Sequence, residues 1–127
     1  RLPGPARLGF PPDIEQLEQL VTDKTKAIFF ASPVNPTGVV FDDVELAAIA
    51  AFAVRHKLWV VSDEVYADLI FEGEHIAIAS LPGMAERTVT VSSLSKSRNM
   101  PGWRAGWAVG PGDQTQDATA GEDCKPA

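Results

Sequence analysis

Lys96 follows a short β-branched segment at residues 89–91, and a run of small hydroxyl residues separates the two. Arg104 follows Lys96 and begins a second apolar segment. An amine at the end of a buried strand loses solvation free energy unless a partner compensates for it. Hydroxyl groups on one side and a guanidinium on the other suit an anionic group beside this amine. An ordinary solvated lysine in a serine-rich loop is the alternative that this stretch alone leaves open.

Two further polar clusters come directly after apolar segments. KAIFFA at 26–31 precedes SPVNPTG at 32–38, and LWVV at 58–61 precedes SDEVY at 62–66. Neither apolar segment alternates with polar residues, which is typical of a strand covered on both faces. Ligands of open α/β sheets usually bind at the carboxyl ends of the strands. The polar residues predicted to meet at this edge are Asn35, Asp63, Tyr66 and Ser93 to Lys96.

Two predicted helices flank these strands. Asp13 can cap a short helix whose apolar face consists of Ile14, Leu17, Leu20 and Val21. Asp42 and Asp43 favour the positive end of a second helix, in which His56 suits the last turn better than a catalytic role. A strand, a helix and a strand with short links predict a right-handed parallel crossover. With a third strand at 88–91, the sequence predicts an α/β fold.

The composition predicts one domain with two irregular ends. The chain has 127 residues, begins with Arg1 and starts in a loop-like segment, so we expect it to be part of a larger protein. Residues 1–12 hold four prolines and two glycines, which indicates a connector within a domain spanning 1–111. Residues 112–127 contain no aromatic or branched aliphatic side chain and are predicted to be a disordered tail.

The charge and the cysteine count narrow the class of protein. Eleven basic and 17 acidic residues give a net charge of −6, which argues against nucleic acid or an anionic membrane as the main partner. No apolar segment approaches the roughly 20 residues that span a bilayer. A single cysteine, Cys124, excludes an internal disulfide and favours a reducing, cytoplasmic location.

The clustered side chains suggest a chemistry before any family is considered. A desolvated lysine can form a Schiff base with an aldehyde. A carboxylate at a strand end needs a cation, and a protonated pyridine nitrogen would be one. These two requirements meet in pyridoxal 5′-phosphate, which acts as an electron sink once its ring nitrogen is protonated. Phenol and amide groups would then serve the ring hydroxyl, and serine and arginine the phosphate. No metal site is predicted.

Three motifs resemble those of the class I aminotransferases, which are pyridoxal-phosphate enzymes of fold type I. SLSKSRNMPGWRAG at 93–106 resembles the active-site lysine signature, and NPTG at 35–38 and SDEVY at 62–66 match two further landmarks in the expected order. The resemblance covers about residues 13–111. It implies part of a three-layer large domain, with a mostly parallel sheet, one antiparallel strand after Arg104 and a cis bond before Pro36.

The resemblance also implies roles for individual residues. Lys96 would hold the cofactor as a Schiff base and then carry the proton between the substrate α-carbon and the cofactor. Asp63 would pair with the pyridine nitrogen and keep it protonated. Tyr66 and Asn35 would hydrogen-bond the ring oxygen.

The resemblance assigns phosphate binding to another set of side chains. Ser93 and Arg104 would bind it, with Ser95 as a second hydroxyl. Glu64 belongs to the motif but is expected to make structural contacts only. The three tryptophans are expected to pack in the core or at an interface.

The activity implied is transfer of an amino group between an L-amino acid and a 2-oxo acid such as pyruvate. Family members are much longer than this chain and are expected to be homodimers. Their N-terminal part supplies a phosphate-binding loop, and their C-terminal domain supplies an arginine for the substrate carboxylate. Because this chain contains neither segment, it is expected to be a central fragment that is inactive alone.

Other functions remain open at this point. Lyases and synthases of the same fold share the equivalents of Lys96 and Asp63. A regulator with an aminotransferase-like domain fused to a DNA-binding domain, or a domain retained only for assembly, are alternatives of other classes. FEGEH at 71–75, with the sequence after it, resembles arginine–pyruvate and related broad-range transaminases.

Overall fold

The computed structural model of the chain describes residues 13–112. The predicted connector at 1–12, and the predicted tail apart from Gly112, lie outside the described residues. In chain order the elements are α1 (Ile14–Leu20), β1 (Ala27–Ala31), α2 (Asp43–Arg55), β2 (Trp59–Asp63), β3 (Thr88–Ser93), α3 (Leu94–Ser97) and β4 (Gly106–Val109). Short 3₁₀ helices lie at Ile78–Ser80 and Pro101–Trp103.

The four strands form one sheet in the order β1-β2-β3-β4. The first three strands are parallel, and β4 runs antiparallel to β3. Asp63 lies in register between Ala31 and Val91, so the carboxyl ends of the three parallel strands share one edge. The predicted α/β fold, with a mostly parallel sheet and one antiparallel strand after Arg104, is therefore confirmed.

Helix α2 supplies half of the buried hydrophobic residues in the described core. Asp42 caps it in a reciprocal capping box with Glu45, as the acidic start of this segment predicts. Its apolar face packs with Val60 of β2 and with residues of the loop before β3. The buried residues on α2 are Leu46, Ile49, Ala50, Phe52 and Ala53.

The second face of β1 is less covered than the sequence predicts. Ile28 and Phe30 pack against the core, whereas Phe29 between them is 68% exposed. Successive side chains of a strand point to opposite faces, and within residues 13–112 the core cluster covers only one face of β1. The predicted burial of β1 on both faces is therefore wrong for this part of the chain. Leu20, assigned to the apolar face of α1, is also exposed.

An ionic contact joins α1 to the end of α2. Glu18 pairs with Arg55, and its second oxygen lies 2.7 Å from Nε2 of His56, the C-cap of α2. Partial desolvation acts to raise the pKa of Glu18, but the hydrogen bond from His56 and the charge of Arg55 outweigh it and hold the pKa below its usual value. The contribution of this exposed contact to stability is therefore small, and it is lost as the pH falls through the lowered pKa.

The end of α2 forms a Schellman motif with an unusual residue. The Leu58 amide donates to the Ala53 carbonyl at 2.8 Å, and the Lys57 amide donates to the Val54 carbonyl at 3.2 Å. Lys57 has a φ of 54°, in the left-handed region where glycine normally ends such a helix. A side chain therefore occupies a position that favours glycine.

Replacing Lys57 with glycine is expected to stabilise the chain by about 1 kcal/mol, because glycine adopts the left-handed conformation without a Cβ clash. The measurement is the free energy of unfolding in urea. Lys57→Ala is the matched control, since it removes the same side chain but keeps the Cβ. Equal stabilisation by both variants would show that the side chain, and not the backbone conformation, is unfavourable.

Candidate functional site

Three of the predicted site residues come together around Tyr66. The Asn35 amide nitrogen lies 3.4 Å from the Tyr66 hydroxyl, although the two residues are 31 positions apart. The Lys96 amine lies 6.0 Å from the centre of the Tyr66 ring. An amide, a phenol and a primary amine from three separate polar clusters therefore share one location.

Asp63 is the last residue of β2 and is half-buried. Its Oδ1 accepts a hydrogen bond from the Val65 amide at 3.1 Å, which fixes the turn after the strand. Among the described residues no partner bonds to its other oxygen. The carboxylate can therefore accept a further hydrogen bond from a cationic donor such as a protonated ring nitrogen.

Ser93 ends β3 and caps the short helix α3. Its hydroxyl oxygen accepts from the Ser95 amide at 3.3 Å, which leaves the hydroxyl proton able to donate elsewhere. Ser95 itself is half-buried. Both hydroxyls therefore lie at the start of the segment that carries Lys96.

Arg104 makes its hydrogen bond to the backbone and not to the hydroxyls of Ser93 and Ser95. Its guanidinium is exposed and donates to the Pro101 carbonyl at 3.1 Å. Its φ of 50° places a non-glycine residue in the left-handed region, which costs about 1 kcal/mol or more. Such conformations are concentrated at functional sites, where the surrounding structure holds them in place.

Close approach of β4 to β3 depends on Gly106. It lies in register with Ser93, and a Cβ at this position would lie 2.9 Å from the Ser92 carbonyl oxygen. A side chain here would therefore push β4 away from the strand end that carries Ser93.

Lys96 is exposed, so the prediction of a desolvated amine at a buried strand end is wrong for these residues. The reason is local, since β3 ends at Ser93 and the lysine falls on α3 beyond it. The amine therefore needs no compensating charge in the structure as it stands.

A cavity of about 710 Å³ adjoins Asn35 and Tyr66. The turn at 33–38 forms one wall, and residues 69–72 form the other. The cis bond that the resemblance implies before Pro36 is present, and a second cis bond precedes Pro33. Asp63, Lys96 and Arg104 do not line this cavity, so it lies beside the amine and not around it.

One group of partly buried polar residues could not be predicted from the sequence. His75 bonds to Glu64, which also accepts from Ser62. Glu64 thus makes internal contacts, as expected, but its partner His75 lies 11 residues away and no periodic pattern connects the two. The turn signal in FEGEH, where Gly73 has a φ of 82°, is the only local hint that the chain reverses here.

The side chains present fit pyridoxal 5′-phosphate by their chemistry. An amine, a strand-end carboxylate with a free oxygen and a phenol bonded to an amide match its aldehyde, ring nitrogen and ring oxygen. Two hydroxyls and an arginine match its phosphate. Among residues 13–112, no cluster of His, Cys, Asp or Glu could hold a metal ion. Every helix in this range is too short or too polar to span a bilayer.

The sequence profile of the aminotransferase class I and II family matches residues 6–119. The chain therefore belongs to the class I and II aminotransferase family.

Individual relatives are similar over most of this chain. It is 50% identical over 103 residues to the arginine–pyruvate transaminase AruH of Pseudomonas aeruginosa, which covers 81% of this chain and 26% of the relative. It is 48% identical over 106 residues to a probable N-succinyldiaminopimelate aminotransferase, DapC, of Mycobacterium tuberculosis, covering 83% and 27%. The chain thus spans about a quarter of the length of the curated relatives it matches.

Solved structures show the same fold. The N-succinyldiaminopimelate aminotransferase of Mycobacterium tuberculosis matches with a TM-score of 0.80 at 48% identity, over 84% of this chain and 28% of that one. The aspartate aminotransferase of Thermus thermophilus with maleate matches with a TM-score of 0.75 at 43% identity, over 80% and 26%. The predicted resemblance to this enzyme family is therefore confirmed.

Proposed function

We propose that this chain is the cofactor-holding part of a pyridoxal-phosphate-dependent aminotransferase. The whole protein would move an amino group between an L-amino acid and a 2-oxo acid such as pyruvate. The observation that carries the proposal is the meeting of Lys96, Tyr66 and Asn35 beside the strand end that bears Asp63. The family's reaction requires these groups to lie together, whereas packing of the fold alone does not require this arrangement.

Lys96 would hold the cofactor by its aldehyde, and its free amine would be the base that takes the proton from the substrate α-carbon. Asp63 would hold the ring nitrogen in its protonated form. The cofactor would supply the electron withdrawal that this proton transfer needs. Tyr66 donates toward the ring oxygen, and Asn35 orients the phenol through their contact at 3.4 Å.

Ser93, Ser95 and Arg104 form the phosphate-binding group. Two hydroxyls and a guanidinium are donors that suit a dianionic phosphate. Arg104 would have to exchange its bond to the Pro101 carbonyl for the phosphate. The guanidinium is exposed, so its side chain is free to change conformation.

The partners follow from the family. The relatives are named for arginine, aspartate, N-succinyldiaminopimelate and kynurenine, each of which is an amino acid. Two of the names also give a 2-oxo acid, pyruvate or oxoglutarate. We propose this substrate pair, a homodimer for the full-length protein and a cytoplasmic location. The cofactor domain would span 1–111, and residues 112–127 would lie outside it.

The test is whether the purified chain captures pyridoxal 5′-phosphate. The measurement is the shift in cofactor absorbance that a lysine adduct produces. The shift is expected for the wild-type chain and is expected to be absent in Lys96→Ala. Lys24→Ala is the matched control, because Lys24 is exposed on the loop before β1. Equal shifts in both variants would contradict the role of Lys96. Turnover by this chain alone is not expected.

A further inference from the structure

A partly buried glutamate–histidine pair follows the strand end that bears Asp63. Glu64 is only 8% exposed, and its Oε2 lies 2.8 Å from Nε2 of His75. Its Oε1 accepts from the Ser62 hydroxyl at 3.0 Å. An ionised carboxylate only accepts hydrogen bonds, and a protonated Nε2 of His75 is the donor that suits it in this contact. Both oxygens of a buried acid are thereby satisfied.

The backbone of Glu64 is held as firmly as its side chain. Its amide donates to the Val91 carbonyl of β3 at 2.9 Å. Its carbonyl accepts from the Ala67 amide at 3.0 Å and from the Ser92 hydroxyl at 3.4 Å. Glu64 is therefore a fixed point between β2, β3 and the turn that follows.

The contact between Glu64 and His75 closes the loop that leaves this fixed point. Tyr66 lies inside the loop, as do the cavity-lining residues at 69–72. No helix or strand lies between β2 and Ile78. Phe71, at the outer part of the loop, is 96% exposed and contributes little packing. The His75 side chain therefore ties the returning end of the loop to the strand end.

We propose that Glu64 and His75 form a clasp that positions Asp63 and Tyr66 and fixes the cavity wall at 69–72. They are positioning residues, because neither belongs to the group that would contact the cofactor. The inference rests on the proposed function for the roles of Asp63 and Tyr66. The clasp itself is a property of the chain without cofactor and is tested as such.

Tyr66 is the only tyrosine in the sequence, so its ring can be observed alone. Fluorotyrosine incorporated into the chain gives a single fluorine NMR resonance. We expect one narrow resonance in the wild-type chain, and a shifted or exchange-broadened one in His75→Leu, which keeps bulk but loses the hydrogen bond. His75→Gln should restore the narrow resonance, because its amide can still donate to Glu64.

The chain offers a matched control for loss of a glutamate–histidine contact. His56 lies 2.7 Å from Glu18 on the helices, and His56→Leu removes that contact without touching the loop. The Tyr66 resonance should be unchanged in this variant. If His75→Leu fails to fold by circular dichroism, His75→Asn replaces it, since asparagine is polar but too short to reach Glu64.

A second readout connects the clasp to the cofactor. Capture of pyridoxal 5′-phosphate should be about tenfold weaker in His75→Leu, which corresponds to about 1.4 kcal/mol. A wild-type Tyr66 resonance in a folded His75→Leu or His75→Asn chain would overturn the clasp, even if stability fell. If the wild-type chain captures no cofactor, the proposed function fails, while the fluorine comparison still decides the clasp.

Discussion

Asparagine in place of Asp63 is expected to weaken capture of pyridoxal 5′-phosphate by about 10- to 100-fold. The hydrogen bond from a charged donor to a carboxylate is worth about 1.5–3 kcal/mol, and asparagine cannot supply the charge. The turn should survive, because asparagine Oδ1 can accept from the Val65 amide as Asp63 does at 3.1 Å. The measurement is the dissociation constant from an absorbance titration.

The control for this substitution is Asp68→Asn, which removes one negative charge from an exposed position a few residues later. It tests whether capture responds to net charge alone. We expect wild-type affinity from Asp68→Asn. Equal weakening by both variants, or no weakening by Asp63→Asn, would contradict the pairing of Asp63 with the ring nitrogen.

Truncation of Phe52 is expected to have the largest effect on stability. The side chain is 1% exposed at the centre of the α2 face, and it contacts the His56 ring with centroids 4.7 Å apart. Removal of a buried phenylalanine costs about 3–5 kcal/mol. Because whole domains are stable by only about 5–15 kcal/mol, Phe52→Ala should unfold a large fraction of the chain. Urea denaturation followed by circular dichroism measures this loss.

Val44 provides the comparison on the same helix. Its side chain is 71% exposed, so Val44→Ala should change the free energy of unfolding by no more than about 0.5 kcal/mol. A loss of similar size in Phe52→Ala and Val44→Ala would contradict the dominant role of Phe52 burial in this core. Helix propensity could not explain such a loss, because alanine is the better helix former at both positions.

The parts of the fold that local patterns determine could be predicted from the sequence. Asp13 and Asp42 begin helices as their capping chemistry requires, and the three polar clusters fall at one edge of a parallel sheet. Order and spacing of three motifs were enough to indicate the family. A parallel register then places Asp63 between Ala31 and Val91 without any further information.

What could not be predicted depends on contacts between distant segments. The burial of Phe29 depends on whether anything covers the second face of β1, which an apolar run does not reveal. The exposure of Lys96 depends on where β3 ends, and strand boundaries are weakly encoded. The pairing of His75 with Glu64 depends on the path of the irregular loop between them. The identities of the two residues do not specify that path.

The most direct test of the proposed cofactor site is to identify the lysine that binds pyridoxal 5′-phosphate. The sequence contains five lysines, Lys24, Lys26, Lys57, Lys96 and Lys125, and each could form an adduct with an aldehyde. The chain would be incubated with pyridoxal 5′-phosphate at a concentration near that of the protein, reduced with borohydride, digested and mapped by mass spectrometry. We predict that the stable adduct lies on Lys96. An adduct spread evenly over the five lysines, or one that leaves Lys96 unmodified, would contradict the assignment of a cofactor site.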